Sequence, residues 1–242
     1  MPASTELPRE ERNPFWGYLD VLIFFGIACA GLFVVIVLLL VLMHLIPWLQ
    51  PSQELVALPA QLLLYVFLYL ALWLIIKIKY ERPVWASLGW KPSRMPAWQA
   101  FVGGCVLSFG IGLLGSALKT PQIKSPFDRF LHSPGWIILF GFFAVLLGPV
   151  FEEIVFRGFI QPLLSRDLGH WAGILLTAGA FGLLHGPEYS GAWQFVVLIT
   201  VAGACFGWVR AWTGSLVPAM VMHAGFNTVF FVAALAQNQV PK

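Results

Sequence analysis

Charged residues are scarce in this sequence. Only 10% of its 242 residues are Asp, Glu, Lys or Arg, whereas 59% are hydrophobic and the mean hydropathy is +0.83. Soluble domains carry about 25% charged residues, so this composition excludes a soluble fold. It favours a chain whose surface faces lipid.

Two further patterns are missing. Cys29, Cys105 and Cys205 lie far apart in apolar stretches, so they predict neither a disulfide framework nor a cysteine metal cluster. The apolar stretches also lack the alternation of a transmembrane barrel. What remains is a series of apolar runs of about 20 residues, each long enough to cross a bilayer. Because backbone groups in lipid must pair internally, the sequence predicts an all-α, polytopic membrane helix bundle.

We expect about seven transmembrane helices around a central polar cavity. A polar tail at residues 1–13 precedes a transmembrane domain at residues 14–242. The fourth span is unusually long and contains Pro149, which would give eight spans if it splits that helix. The seven predicted spans cover residues 21–46, 55–76, 98–118, 136–164, 171–184, 193–212 and 216–236.

The distribution of Lys and Arg predicts the orientation. With seven spans, one side of the membrane holds nine of them: Arg9, Arg12, Lys77, Lys79, Arg82, Lys91, Arg94, Arg166 and Arg210. The other side holds four: Lys119, Lys124, Arg129 and Lys242. This predicts a multi-pass protein of a bacterial cytoplasmic membrane with its N-terminus inside. Loop cations explain the net charge of +3, so no nucleic-acid partner is expected.

Six polar side chains interrupt the later apolar spans. An ionised group at mid-membrane costs at least about 2.5–3.5 kcal/mol on insertion scales, so each needs a partner or a function. Glu153 and Arg157 are four residues apart, which predicts an ion pair on one helix face. Glu152 points about 100° away and has no local cation. The remaining three are His185, His223 and Asn227.

These groups match the needs of peptide hydrolysis. A carboxylate can take a proton from water, and imidazole or amide groups can stabilise an oxyanion. Each residue also has a structural interpretation, such as an ion pair or a hydrogen bond between helices. The occurrence of such groups on three helices favours the catalytic interpretation. Four glycines at three- or four-residue spacings are suited to close packing around the site: Gly179, Gly182, Gly203 and Gly207.

Three motifs resemble a known family. Residues 152–157 (Glu-Glu-Ile-Val-Phe-Arg) match EExxxR, residues 181–185 (Phe-Gly-Leu-Leu-His) match FxxxH, and residues 223–227 (His-Ala-Gly-Phe-Asn) match HxxxN. In this order they resemble the CAAX-protease and bacteriocin-processing (CPBP, or Abi) family of intramembrane endopeptidases. The resemblance covers about residues 144–230, with no departure at a signature position.

The resemblance implies a role for each residue. Glu152 would activate water with help from His185, while His223 and Asn227 would stabilise the oxyanion. Glu153 and Arg157 would form a structural pair. The implied fold is a conical helix bundle with a cavity reached from the cytoplasmic side.

The cofactor has two interpretations. Glu152, His185 and His223 would be the ligands if zinc is bound with an open fourth position. The sequence has no HExxH motif, however, and we favour a glutamate-activated water without a metal.

The sequence therefore predicts an intramembrane endopeptidase that acts on a membrane-associated peptide or protein. The alternative is a non-catalytic immunity or regulatory scaffold that binds a partner in the same cavity. A transporter is less favoured because no internal repeat is evident.

Overall fold

The computed structural model describes residues 12–45, 53–123, 130–131 and 133–238. Most of the predicted polar tail, residues 1–11, lies outside the described residues. The regular structure of the described part is helical, which confirms the predicted all-α fold. Its eight helices are α1 (Tyr18–Leu45), α2 (Gln53–Trp73, continued as a π-helix over Leu74–Lys79), α3 (Val84–Ser87), α4 (Ala97–Ala117), α5 (Pro134–Leu168), α6 (His170–His185), α7 (Trp193–Thr213) and α8 (Leu216–Asn238).

Six of these helices are long and apolar enough to cross a membrane: α1, α2, α4, α5, α7 and α8. The fifth predicted span, residues 171–184, corresponds to α6, which has 16 residues and is shorter than these six helices. Pro149 does not split the fourth span. Instead, α5 continues for 35 residues and changes locally to π-helix at Phe143–Leu147 and Ile154–Ile160. Such π segments often occur near functional sites.

The connections between helices gather at two ends of the bundle. At one end, Arg166 donates hydrogen bonds to the carbonyls of Pro14 and Trp16, and Ser215 donates one to the carbonyl of Lys91. We call residues 12–17, 77–96, 166–170 and 210–216 the basic end. The opposite, or distal, end comprises residues 118–123, 130–136 and 186–193.

Glycine allows α4 and α8 to pack backbone against backbone. A Cβ atom on Gly104 would lie 1.9 Å from the carbonyl oxygen of Met222, and one on Gly225 would lie 2.2 Å from that of Phe101. Small residues are the usual means of close helix contact in membranes. This contact fixes α8, which carries His223 and Asn227, in the bundle.

Candidate active site

Glu153 and Arg157 form the ion pair that their spacing predicts. Both side chains are fully buried, and Arg157 Nη1 donates to Glu153 Oε1 over 2.8 Å. Arg157 Nη2 donates to the carbonyl of Gly203 on α7, also over 2.8 Å. The guanidinium lies 4.6 Å from the ring centroid of Phe181. Arg157 therefore joins α5 to α6 and α7.

Two glycines of α7 make room for the polar side chains of α5. A Cβ atom on Gly203 would lie 2.9 Å from Arg157 Nη2, and one on Gly207 would lie 2.7 Å from Gln161 Oε1. Gln161 also donates to the carbonyl of Gly207 over 2.9 Å. These two glycines pack around the site as predicted. Gly179 does not, because a Cβ atom there would meet nothing within 4 Å.

His223 lies between the two adjacent glutamates. Its Nδ1 is 2.9 Å from Glu153 Oε1, a hydrogen-bonding distance, and its Nε2 is 3.8 Å from Glu152 Oε2. The imidazole stacks on Phe206 with a centroid distance of 4.5 Å. Glu153 therefore has a second contact beyond the predicted ion pair, because it also holds the ring of His223.

Glu152 differs from its neighbour in exposure and in contacts. Its side chain is 28% exposed, whereas that of Glu153 is fully buried. No described residue donates a hydrogen bond to the Glu152 carboxylate. The separation of 3.8 Å from His223 exceeds hydrogen-bond length, so a water molecule or substrate atom can interact with both groups.

His185 ends α6 and is half-buried. Its Nδ1 lies 2.8 Å from the carbonyl oxygen of Phe181. A carbonyl only accepts hydrogen bonds, so Nδ1 carries a proton and the neutral ring has its lone pair on Nε2. The ring of Phe181 lies 4.5 Å from His185 and 5.9 Å from His223, between the two imidazoles.

Asn227 is held by an irregularity in α5. Its Nδ2 donates to the carbonyl of Ala144 over 2.7 Å. In this π-helical segment a backbone N–H bonds to the carbonyl five residues earlier, as that of Gly148 does to the carbonyl of Phe143. The carbonyl of Ala144 would therefore pair with the N–H of residue 149. That residue is Pro149, which has no N–H. Asn227 therefore supplies the hydrogen bond that proline cannot, and it keeps a second amide proton.

The four predicted catalytic residues are brought together to different degrees. Glu152 and His223 are near neighbours, and Asn227 lies one turn beyond His223 on α8. His185 is linked to His223 through the shared ring of Phe181.

Two residues near the site were not predicted. Glu188 lies three residues after His185, a spacing that could have indicated it, and its charge acts on both Glu152 and His185. Part of the Glu188 side chain reaches the protein surface, but the surrounding protein atoms desolvate its carboxyl and raise its pKa, which His185 lowers and the charge of Glu152 raises further. Tyr65 of α2 stacks on Phe151 at 4.3 Å and is within electrostatic range of Glu152. No sequence signal connects Tyr65 to the motifs.

A catalytic zinc site would need three donor side chains grouped around one position. Across residues 12–45, 53–123, 130–131 and 133–238, no three His, Cys, Asp or Glu side chains are grouped so that they could hold a metal ion. The Nδ1 atoms of His185 and His223 do have acceptors behind them, as metal-binding histidines usually do. The arrangement as a whole does not fit a three-ligand centre.

The helices that carry the site also match a known protein family. Residues 134–229 match the family model of the type II CAAX prenyl endopeptidases described as Rce1-like. This match confirms the family resemblance predicted from the motifs. The Rce1-like segment runs from the start of α5 to just beyond Asn227, so it contains all three motifs and covers less than half of the chain. No curated protein and no solved structure gave a significant match.

Proposed function

We propose that this chain is an intramembrane endopeptidase in which Glu152 activates water to hydrolyse a peptide bond of a membrane-associated peptide or protein. The family match indicates an enzyme of the CAAX-protease type. The contrast between the two glutamates carries the residue assignment. Glu153 is buried and engaged by Arg157 and His223, whereas Glu152 is partly exposed and its carboxylate is free to accept a proton.

In the first step, water lies between Glu152 and His185. The Glu152 carboxylate takes one proton, and the lone pair on His185 Nε2 accepts a hydrogen bond from the other. The water oxygen then attacks the scissile carbonyl carbon. The orientation of His185 supports this role because Phe181 already occupies its Nδ1 proton.

His223 and Asn227 stabilise the tetrahedral oxyanion. The carboxylate of Glu153 accepts from His223 Nδ1, which directs His223 Nε2 towards Glu152 and the reacting carbonyl. A proton on this Nε2 would be donated to the oxyanion. Asn227 contributes its second amide proton.

The tetrahedral intermediate collapses when the C–N bond breaks. Glu152 returns the proton that it took from water to the departing nitrogen, which leaves as an amine. The other product is the new carboxylic acid, and Glu152 regains its carboxylate form. The roles of general base and general acid are thus filled in turn by one residue.

Mass spectrometry of membrane peptides tests this function. Cells lacking the endogenous protein would express the wild-type chain, Glu152→Gln, or Glu81→Gln as a matched control. Glu81 is exposed at the basic end and belongs to none of the three motifs. Cleavage products should appear with the wild type and with Glu81→Gln, and disappear with Glu152→Gln. Identical peptides in all three strains would favour the scaffold alternative over an enzyme.

A further inference from the structure

The surroundings of Glu152 differ between the two ends of the bundle. Towards the basic end, every residue of α5 from Glu153 to Phe159 is buried. Trp16 closes this side by donating from Nε1 to the carbonyl of Phe159 over 3.0 Å. Leu88 and Leu216, both fully buried, pack against Gly158. The part of α5 between Glu152 and the basic end is therefore packed inside the protein.

On its distal side the site reaches the protein surface. Glu152 is 28% exposed, whereas Glu153, the next residue towards the basic end, is fully buried. His185 is half-buried, and Glu188 is exposed in the turn that follows α6. Because His185 ends α6 and the turn Gly186–Tyr189 follows it directly, this turn borders the site. The open side of the site therefore faces the distal end.

The basic end is the one that the distribution of charge predicts to be cytoplasmic. The nine Lys and Arg residues counted for the inner side are Arg9, Arg12, Lys77, Lys79, Arg82, Lys91, Arg94, Arg166 and Arg210, and eight of them, all but Arg9, are described by the structure. Contacts such as Lys79 with Asp20 and Arg210 with Gly89 tie their segments together at one end. Short cytoplasmic loops are enriched in such cations.

We infer that the active site opens towards the extracytoplasmic face, and that its substrate is a peptide segment presented there, such as an exported peptide or the outer juxtamembrane part of a membrane protein. The substrate class rests on the proposed peptidase function, whereas the orientation does not. The resemblance implied a cavity reached from the cytoplasmic side. In this fold, a cytoplasmic N-terminus and a site reached from the cytoplasm exclude each other. The N-terminal segment lies at the basic end, whereas the exposed side of the site faces the distal end.

Cysteine labelling in intact cells tests the orientation independently of activity. A background with Cys29, Cys105 and Cys205 replaced by alanine would carry one new cysteine in the full chain. Glu188→Cys reports on the opening of the site, Gln122→Cys on the distal end, and Ala86→Cys on the basic end; all three positions are exposed. A membrane-impermeant maleimide is added before or after lysis.

We expect Glu188→Cys and Gln122→Cys to be labelled equally before and after lysis, and Ala86→Cys only after lysis. The reverse pattern would overturn the inference, and so would a Glu188→Cys that is protected in intact cells. The substrate class is tested by the positions of the Glu152-dependent cleavage sites, which should lie in extracytoplasmic segments. Cleavage sites in cytoplasmic segments would reject the proposed substrate class while leaving the peptidase function intact.

Discussion

His223 bridges two neighbouring glutamates, with Nδ1 2.9 Å from Glu153 Oε1 and Nε2 3.8 Å from Glu152 Oε2. The shorter contact fixes the ring, and the longer one leaves space for a reacting group. The His223 ring therefore binds one carboxylate directly and leaves the other without a hydrogen bond from it. Glu153 belongs to the structural framework of the site, and Glu152 faces the space in which chemistry can occur.

Glu153→Gln should destabilise the protein. The amide keeps the size of the side chain but leaves the buried Arg157 without its counter-charge, and breaking one partner of a buried pair costs about 3–5 kcal/mol. Thermal unfolding of the purified protein in detergent measures this loss. Glu81→Gln, which changes an exposed glutamate, should unfold like the wild type. An unchanged melting temperature in Glu153→Gln would show that the pair does not support the fold.

Gly203→Ala should also lower stability, because its Cβ atom would lie 2.9 Å from Arg157 Nη2 and would displace the guanidinium from the Gly203 carbonyl. Gly179→Ala is the matched control on α6, since its Cβ atom would meet nothing within 4 Å. Alanine is favoured over glycine in a helix by about 1 kcal/mol, so the control should be neutral or slightly stabilised. Equal unfolding temperatures for the two variants would contradict the packing described around Arg157.

Asn227→Ala should lower kcat by about 10²–10³, the usual effect of removing one oxyanion donor. Thr228→Val is the adjacent control, because the Thr228 hydroxyl only donates to the carbonyl of Ala224 on its own helix. A loss confined to stability, with kcat retained, would assign Asn227 solely to supporting the carbonyl of Ala144.

The sequence predicted the contacts that lie within one helix and missed those that depend on packing between helices. The four-residue spacing of Glu153 and Arg157 is enough to predict their ion pair. The bond from Asn227 to Ala144 instead requires a π-helical register in α5 and the position of α8 beside it. Tyr65 approaches Glu152 from α2, so no motif spacing indicates it, whereas the position of Glu188 three residues after His185 could have indicated that residue.

Chelation separates the two interpretations of the cofactor. If Glu152 activates water without a metal, turnover should persist after exhaustive treatment with a chelator, and metal analysis should find no stoichiometric zinc. A zinc-activated water would make activity disappear on chelation and return on adding the metal. Chelator-sensitive turnover together with one zinc per chain would contradict the metal-free mechanism and would require His185 to move into a ligand group with Glu152 and His223.

The central claim is that Glu152 is the general base. Once a cleaved peptide has been identified, its turnover by purified wild-type protein and by Glu152→Gln tests this claim directly. Glutamine preserves the size of the side chain but cannot take a proton from water, so kcat should fall by at least about 10², a typical contribution of general-base catalysis. Both proteins should show the same unfolding temperature. A Glu152→Gln variant that is folded and retains wild-type turnover would contradict the proposed mechanism.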